Sequence, residues 1–320
     1  MSSVKTYRKA INEALHEEMA RDSSVYLIGE DIAVYHKGGG PSRVLGGIEE
    51  GFGSKRIIET PICEGAIIGS SVGAAFMGLR PVAEIMHSEF LSVAMQHLLY
   101  GGSKAVLLGQ TDTCPVVVRT PYGGMDPGIP FQDESNEQWF IGVPGLKVVL
   151  PSSPHDAKGL LKAAIRDDYP VLFLEHKGLY ASEGEVGNDD YVIPLGKGRI
   201  VQTGDDVTIV SAGRMVHDAT KAVNELMGRG IHCELIDLRT IHPFDEELVL
   251  KSVEKTGRLI VFLESKLAGS IGNDIISTVV EKQFGTLKHG AVRLCAKNIA
   301  STSAPSVKDL VLAVSGLVKK

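Results

Sequence analysis

No part of this chain carries the excess of positive charge that nucleic acid or an anionic membrane selects. Lys and Arg number 33 against 39 Asp and Glu, a net charge of −6, which excludes a basic footprint. An acidic balance of this size is that of an ordinary solvated surface. Cysteine is scarce as well. The four (Cys63, Cys114, Cys233, Cys295) show neither a CxxC pair nor Cys/His spacing for a metal, which predicts buried free thiols in a reducing compartment. No apolar run reaches the length of a membrane span; residues 65–79 come closest and are Gly/Ala-rich and too short. The start, MSSVKTYRKAINEALHEE, has no signal-peptide core and no Arg/Ser-rich transit segment, and already reads as a helix. The expectation is a cytoplasmic protein, or one inside an organelle after loss of a leader.

Familiar catalytic fingerprints are missing too. Gly38-Gly39-Gly40 is followed by Pro-Ser-Arg, not by the Gly-Lys-Ser/Thr of a phosphate loop. No GxGxxG opens a helix after the first strand, so a nicotinamide oxidoreductase has only α/β alternation in its favour. HExxH and GxSxG do not occur.

What is present is a regular alternation. With 320 residues, 43 % of them hydrophobic, the chain can build two domains with cores of their own. Short β-rich runs at 25–28, 82–86, 116–120, 146–150 and 171–174 alternate with helical patterns, predicting an α/β fold of mostly parallel sheets covered by helices. Tyr7, Ile11, Ala14 and Leu15 mark one face of the first helix. Ser153, Pro154 and Asp156 form a start signal for another. The acidic stretch 182–194 lacks either periodicity and reads as a linker. Beyond it come strands at 207–211, 233–237 and 259–263, with helices at 215–227, 271–281 and 306–318. The predicted division is 1–185, a linker at 186–194, and 195–320.

Glu64 is the sharpest candidate for chemistry. It precedes GAIIGSSVGAAFMG, an uncharged segment expected to be a helix buried all round. A carboxylate at its threshold would be desolvated, while the helix N-terminus favours the anion. Two local readings stand: an acid that exchanges a proton with a weakly basic ring nitrogen, or a carboxylate that caps its own helix. His87, Glu89 and His97 sit around Phe90 in HSEFLSVAMQHLLYGG, where His97 reads as structural and Phe90 alone as core. Segment 119–140 is long, polar, rich in Gly and Pro, and holds the only tryptophan; it reads as an active-site loop. DLRTIHPFD (237–245) is distinctive but yields no mechanism.

These segments together resemble the β subunits of the thiamine diphosphate-dependent 2-oxo acid dehydrogenases, a transketolase-like group that includes the pyruvate, branched-chain and acetoin enzymes. The likeness runs through IGED (28–31), ETPICEGAIIGSSVGAAFMGLRP (59–81), PGLKVVLPSSPHDAKGLLKAAIRD (144–167), DVTIVSAG (206–213) and DLRTIHPFD. It implies a pyrimidine-binding domain followed by a transketolase C-terminal-like domain. It also implies that Glu64 bonds the N1′ nitrogen of the cofactor's aminopyrimidine, that Phe90 packs on that ring and that Ile62 borders it. Glu30 would stand in a polar tunnel between paired sites. Val116, Ala164, Ile165, Asp167 and Tyr169 match a potassium loop that binds mostly through backbone carbonyls, with Tyr169 where an asparagine is expected in one relative.

Two departures carry weight. The chain has no GDG motif for magnesium and the diphosphate; Gly204-Asp205-Asp206 is the nearest string and lies in the other domain. The resemblance therefore implies an α partner that holds Mg2+, in an α2β2 assembly. The loop before PGLKVV has Gln132-Asp133-Glu134 where pyruvate and branched-chain relatives carry a histidine that helps pass the acyl group to lipoyl. Gln132 cannot shuttle a proton near neutrality. The implied function is decarboxylation of a 2-oxo acid and acyl transfer to the lipoyllysine of an acyltransferase partner. The alternatives are acetoin cleavage or a non-lipoyl acceptor. The C-terminal tail also lacks the proline-rich segment expected for docking to an acyltransferase core. A purely scaffolding subunit is disfavoured, because it has no need of Glu64 beside Phe90.

Overall fold

The computed structural model describes residues 2–33, 42–124, 134–296 and 304–318. Its strands in the first part of the chain are β1 (Ser2–Thr6), β2 (Val25–Glu30), β3 (Ile57–Thr60), β4 (Arg80–Glu84), β5 (Val117–Tyr122), β6 (Lys147–Val149), β7 (Val171–His176) and β8 (Glu183–Gly187). The later ones are β9 (Arg199–Gln202), β10 (Val207–Ser211), β11 (Cys233–Asp237), β12 (Thr240–His242), β13 (Leu259–Lys266) and β14 (Val292–Ala296). As the alternation predicts, all of them but β1 and β8 form two largely parallel sheets with helices between the strands. The first has the order β12-β6-β7-β5-β4-β2-β3 and the second β14-β13-β10-β11-β9. Only the edge strands β12 and β9 run antiparallel to their neighbours.

Central strands covered on both faces should read as continuous apolar runs. β7 (VLFLEH) opens on four apolar residues and β10 (VTIVS) is mostly apolar, and every residue in both is buried. The helices Tyr7–Arg21 and Pro154–Arg166 pack together on one face of the first sheet. The second of these starts as its signals require: the Ser153 hydroxyl accepts from the Asp156 amide at 3.1 Å. Met215–Met227 packs on the second sheet, with Ala219, Val223 and Leu226 inward.

Residues 182–194 differ from expectation. Glu183–Gly187 form β8, which pairs antiparallel with β1. The pairing supplies regular structure that neither strand signals alone, because each is half-exposed and polar.

The DLRTIHPFD motif acquires a structural role at the junction of the sheets. β11 ends at Asp237, and β12 then crosses to pair with β6 of the first sheet. Fully buried Asp156, on the first-turn side of its helix, receives Arg239 Nη2 at 2.7 Å and Arg199 Nη2 at 3.3 Å. Ser152 Oγ donates to Asp237 Oδ2 at 2.5 Å, and the Arg239 amide donates to Asp237 Oδ1 at 3.0 Å.

Burial, and after it the nearby charge of Asp156, pushes Asp237 up to about 6. Its unfolded value is about 3.9, so between those values the folded chain binds more protons and loses stability as the pH rises. Asp237→Asn should flatten that slope in a denaturant series run across this window. A variant that kept the wild-type slope would contradict the assignment.

Candidate active site

Open α/β sheets bind ligands at the carboxyl ends of their strands, and the candidate residues collect there in the first sheet. β2 ends on Glu30. β3 leads through Ile62 to Glu64, the first residue of the Glu64–Phe76 helix. β4 ends on Glu84 and is followed by a 3-10 turn, Ser88–Phe90. The helix Leu91–Gln96 continues from that turn and packs on the helix that Glu64 opens. Glu30 and Glu64 are half-buried and near enough to interact. Burial first, then the charges of Asp31 and Glu64, hold the Glu30 carboxyl above its ordinary range. Glu30, Ser42, Glu84, Met86, His87 and Lys177 line a cavity of ≈ 360 Å³ beside these residues. The His87 ring meets Phe90 edge-on, 5.5 Å between centroids.

Beneath the cavity lies an ion cluster that sequence reading missed. Arg119 is 1 % exposed and gives Nη1 to Glu84 Oε2 at 2.8 Å. Its Nε and Nη2 bond the two oxygens of Glu175 at 2.6 and 2.9 Å. Tyr180 Oη adds a bond to Glu175 at 2.9 Å. Burial opposes the guanidinium charge, but the fields of Glu175 and Glu84 outweigh it and hold the group protonated. The signal was an arginine inside the apolar run of β5, with Glu84 as its direct register partner on β4.

Two expectations about the Glu64 helix need correction. It is not buried all round: Ala66, Ser70, Gly73, Phe76 and Met77 form an outward stripe at helical spacing. Phe76 is 42 % exposed and Met77 83 %. The adjoining segment adds exposed Val93, Tyr100, Leu107 and Leu108, making an apolar face of the kind that proteins cover with a partner. Nor are all the cysteines buried. Cys63 caps this outward-facing helix and is exposed, while the other three are buried and all four are free. His97 is exposed at the start of a π-helical segment, and its ring lies on the helix at Gly69, where a Cβ would approach Nδ1 to 3.2 Å.

The remaining site candidates fall elsewhere. Gln132 and Asp133 lie outside the described residues. The five residues of the potassium expectation gather away from Glu64, at the end of the Pro154–Arg166 helix and the start of β7. The carbonyls of Ile165 and Asp167 both accept from Arg80 Nη1, at 3.1 and 3.0 Å. Those of Val116 and Ala164 accept from the amides of Val171 and Asp167, at 2.9 and 3.3 Å. The Asp167 carboxylate pairs with Lys147 and accepts the Tyr169 amide at 2.9 Å. Each of these carbonyls keeps a second lone pair that a hard cation can use.

Comparison with known proteins bears on what such a site does. Residues 3–183 match the transketolase pyrimidine-binding domain and 196–314 the transketolase C-terminal domain. The chain is 41 % identical to the 2-oxoisovalerate dehydrogenase subunit beta of Bacillus subtilis, covering 96 % of this chain and 94 % of the relative. It is 41 % identical to the acetoin:2,6-dichlorophenolindophenol oxidoreductase subunit beta of Cupriavidus necator, covering 95 % and 92 %. The pyruvate dehydrogenase E1 component subunit beta of Rhizobium meliloti is 39 % identical over 96 % of this chain and 66 % of its own length. A solved structure titled "Split gene transketolase, inactive beta4 tetramer" shares the fold, with a TM-score of 0.81 at 19 % identity and 98 % of each chain covered.

Proposed function

The chain belongs to the transketolase-like β subunits of the thiamine diphosphate-dependent 2-oxo acid and acetoin dehydrogenases, and we propose that Glu64 is the carboxylate through which it activates the cofactor. The placement of Glu64 carries this reading. It is a half-buried acid on the first turn of a helix, two residues after exposed Ile62 and packed through its helix against the element that follows Phe90. Apolar side chains flanking one carboxylate fit a flat, weakly basic heteroaromatic ring. When bound, thiamine diphosphate supplies the electron sink for cleaving a bond next to a carbonyl. Glu64 holds a proton at its carboxyl oxygen and shares it with the ring nitrogen N1′. Phe90 and Ile62 exclude water from the ring faces, which strengthens that bond.

In the same reading the enzyme decarboxylates a 2-oxo acid and passes the acyl group to lipoyllysine of an acyltransferase component. Acetoin cleavage shares every residue used here and is the alternative substrate class. The apolar stripe of the Glu64–Phe76 helix supports an α chain as the partner, in an α2β2 assembly with magnesium held by the α chain. The carbonyls around Arg80 leave lone pairs for a potassium ion, which would share them with the guanidinium and would order the 164–169 turn. Pyrimidine-binding residues 1–185, a linker at 186–194 and a C-terminal domain at 195–320 are the proposed division. Among the described residues no helix is long and apolar enough to cross a membrane; four free thiols support a place in the cytoplasm.

Glu64→Gln should leave the fold intact, by circular dichroism, and abolish decarboxylation in the reconstituted α/β pair, since an amide cannot exchange the proton. Near-normal turnover would sink the assignment. Gln132, standing where the family carries a histidine, supports a changed acyl acceptor as the second reading. Reduction of an artificial dye should then proceed while NADH formation with an added lipoyl acyltransferase stays poor. Robust overall flux would refute that second reading and leave lipoyl as the acceptor.

A further inference from the structure

β13 belongs to the second sheet, yet two of its side chains reach the site in the first. Glu264 and Lys266 stand near the end of the strand, and both reach across to the first sheet. Glu264 uses both oxygens. Oε1 accepts the amide of Gly124, just past the end of β5, at 3.1 Å. Oε2 meets His176 Nε2, the last residue of β7, at 2.8 Å. The Gly178 amide donates to His176 Nδ1 at 3.0 Å. Nδ1 is thereby the acceptor, and the proton of a neutral ring sits on Nε2, facing Glu264. The side chains of His176 and Glu264 are 0 % and 8 % exposed, so water offers neither a substitute.

Lys266 continues the line of contacts. Its Nζ donates to Glu134 Oε2 at 2.8 Å. The Glu134 amide donates to Glu89 Oε1 at 2.9 Å, and the Glu134 carbonyl accepts the amide of Gly123 at 3.0 Å. Glu89 is the residue before Phe90 on the 3-10 turn. Two hydrogen bonds, each with a charged partner, therefore link the second sheet to the turn that carries Phe90, whose ring packs edge-on against His87 of the cavity wall.

We infer that the C-terminal sheet positions the active site through β13: Glu264 fixes the carboxyl ends of β5 and β7, and Lys266, through Glu134 and Glu89, fixes the turn that carries Phe90. Both are positioning residues for the flat aromatic part of the cofactor, a role that rests on the reading of Phe90 given above. The chemistry of the pair makes the inference sharp. Two N–H donors point at the two oxygens of Glu264, so an amide in its place must turn its NH2 toward one of them. His176 cannot relieve the clash by changing tautomer, because that would orphan the Gly178 amide. Met in place of Lys266 leaves the Glu134 carboxylate without its cation.

The experiment uses the reconstituted α/β complex and thiamine diphosphate with magnesium. Glu264→Gln and Lys266→Met should each raise the Kd and KM for the cofactor about tenfold, the size expected for losing one charged hydrogen bond, with kcat at saturation nearly unchanged. In the cofactor-free complex the amides of Gly124 and Glu134 should exchange with deuterium faster in the corresponding variant. Lys266→Arg should restore both readouts. Unchanged affinity and exchange in folded variants would overturn the inference, and so would a loss confined to kcat. Phe90→Ala, run in parallel, separates the two claims. If it leaves cofactor affinity intact, the reading of Phe90 fails; if it weakens affinity while Lys266→Met does not, the positioning by β13 fails.

Discussion

One buried guanidinium underlies the geometry of the site. Arg119 lies between Glu84 and Glu175 and so links β4, β5 and β7, the three strands at the centre of the first sheet. A buried pair of this kind adds little net stability over apolar packing, but removing one partner costs about 3–5 kcal/mol because a charge is left alone. What the cluster secures is position. The three strands end at a common edge, and from that edge come Met86, His87 and Phe90 after β4, Gly124 after β5 and His176 closing β7. The cavity sits directly over the cluster, with Glu84 shared between them.

The second sheet completes this arrangement at two junctions. At one, Asp156 gathers Arg199 and Arg239 while β12 extends the first sheet. At the other, Glu264 and Lys266 of β13 hold strand ends and turns of the first sheet. The outward stripe of the Glu64–Phe76 helix faces the opposite requirement. Among the described residues it offers apolar surface that no other element covers, beside Glu64. A site whose acid stands at the margin of an uncovered face is one that a second chain finishes, which agrees with the absence of a diphosphate-magnesium motif from the sequence.

Much of this was legible in advance where local signals and packing agree. β10, the helix Met215–Met227 and β11 fall where their periodicity places them, and the Ser153 cap forms as its residue types require. Glu30, Ile62, Glu64 and Phe90 were identified as one constellation by resemblance, and the fold does bring them to one sheet edge. The misses have a common cause. β1, β8 and β12 are short edge strands whose partners lie far off in sequence, and none of the three carries the alternation that marks a strand; β6 itself falls within the expected run 146–150. Arg119 was not singled out because its partners lie on two other strands. Helix Glu64–Phe76 was expected to be enclosed because it has no charge, but an uncharged face can equally await another subunit.

The central claim is that Glu64 of this chain shares a proton with the cofactor ring. Deuterium exchange at C2 of thiamine diphosphate, followed by quenched-flow proton NMR in the reconstituted α/β pair, tests it without substrate or acyl acceptor. Glu64→Gln should slow that exchange by about a hundredfold or more, the usual contribution of a positioned acid–base group, with the cofactor still bound. Exchange at the wild-type rate in the bound variant would contradict the claim and return Glu64 to the role of a helix-capping carboxylate.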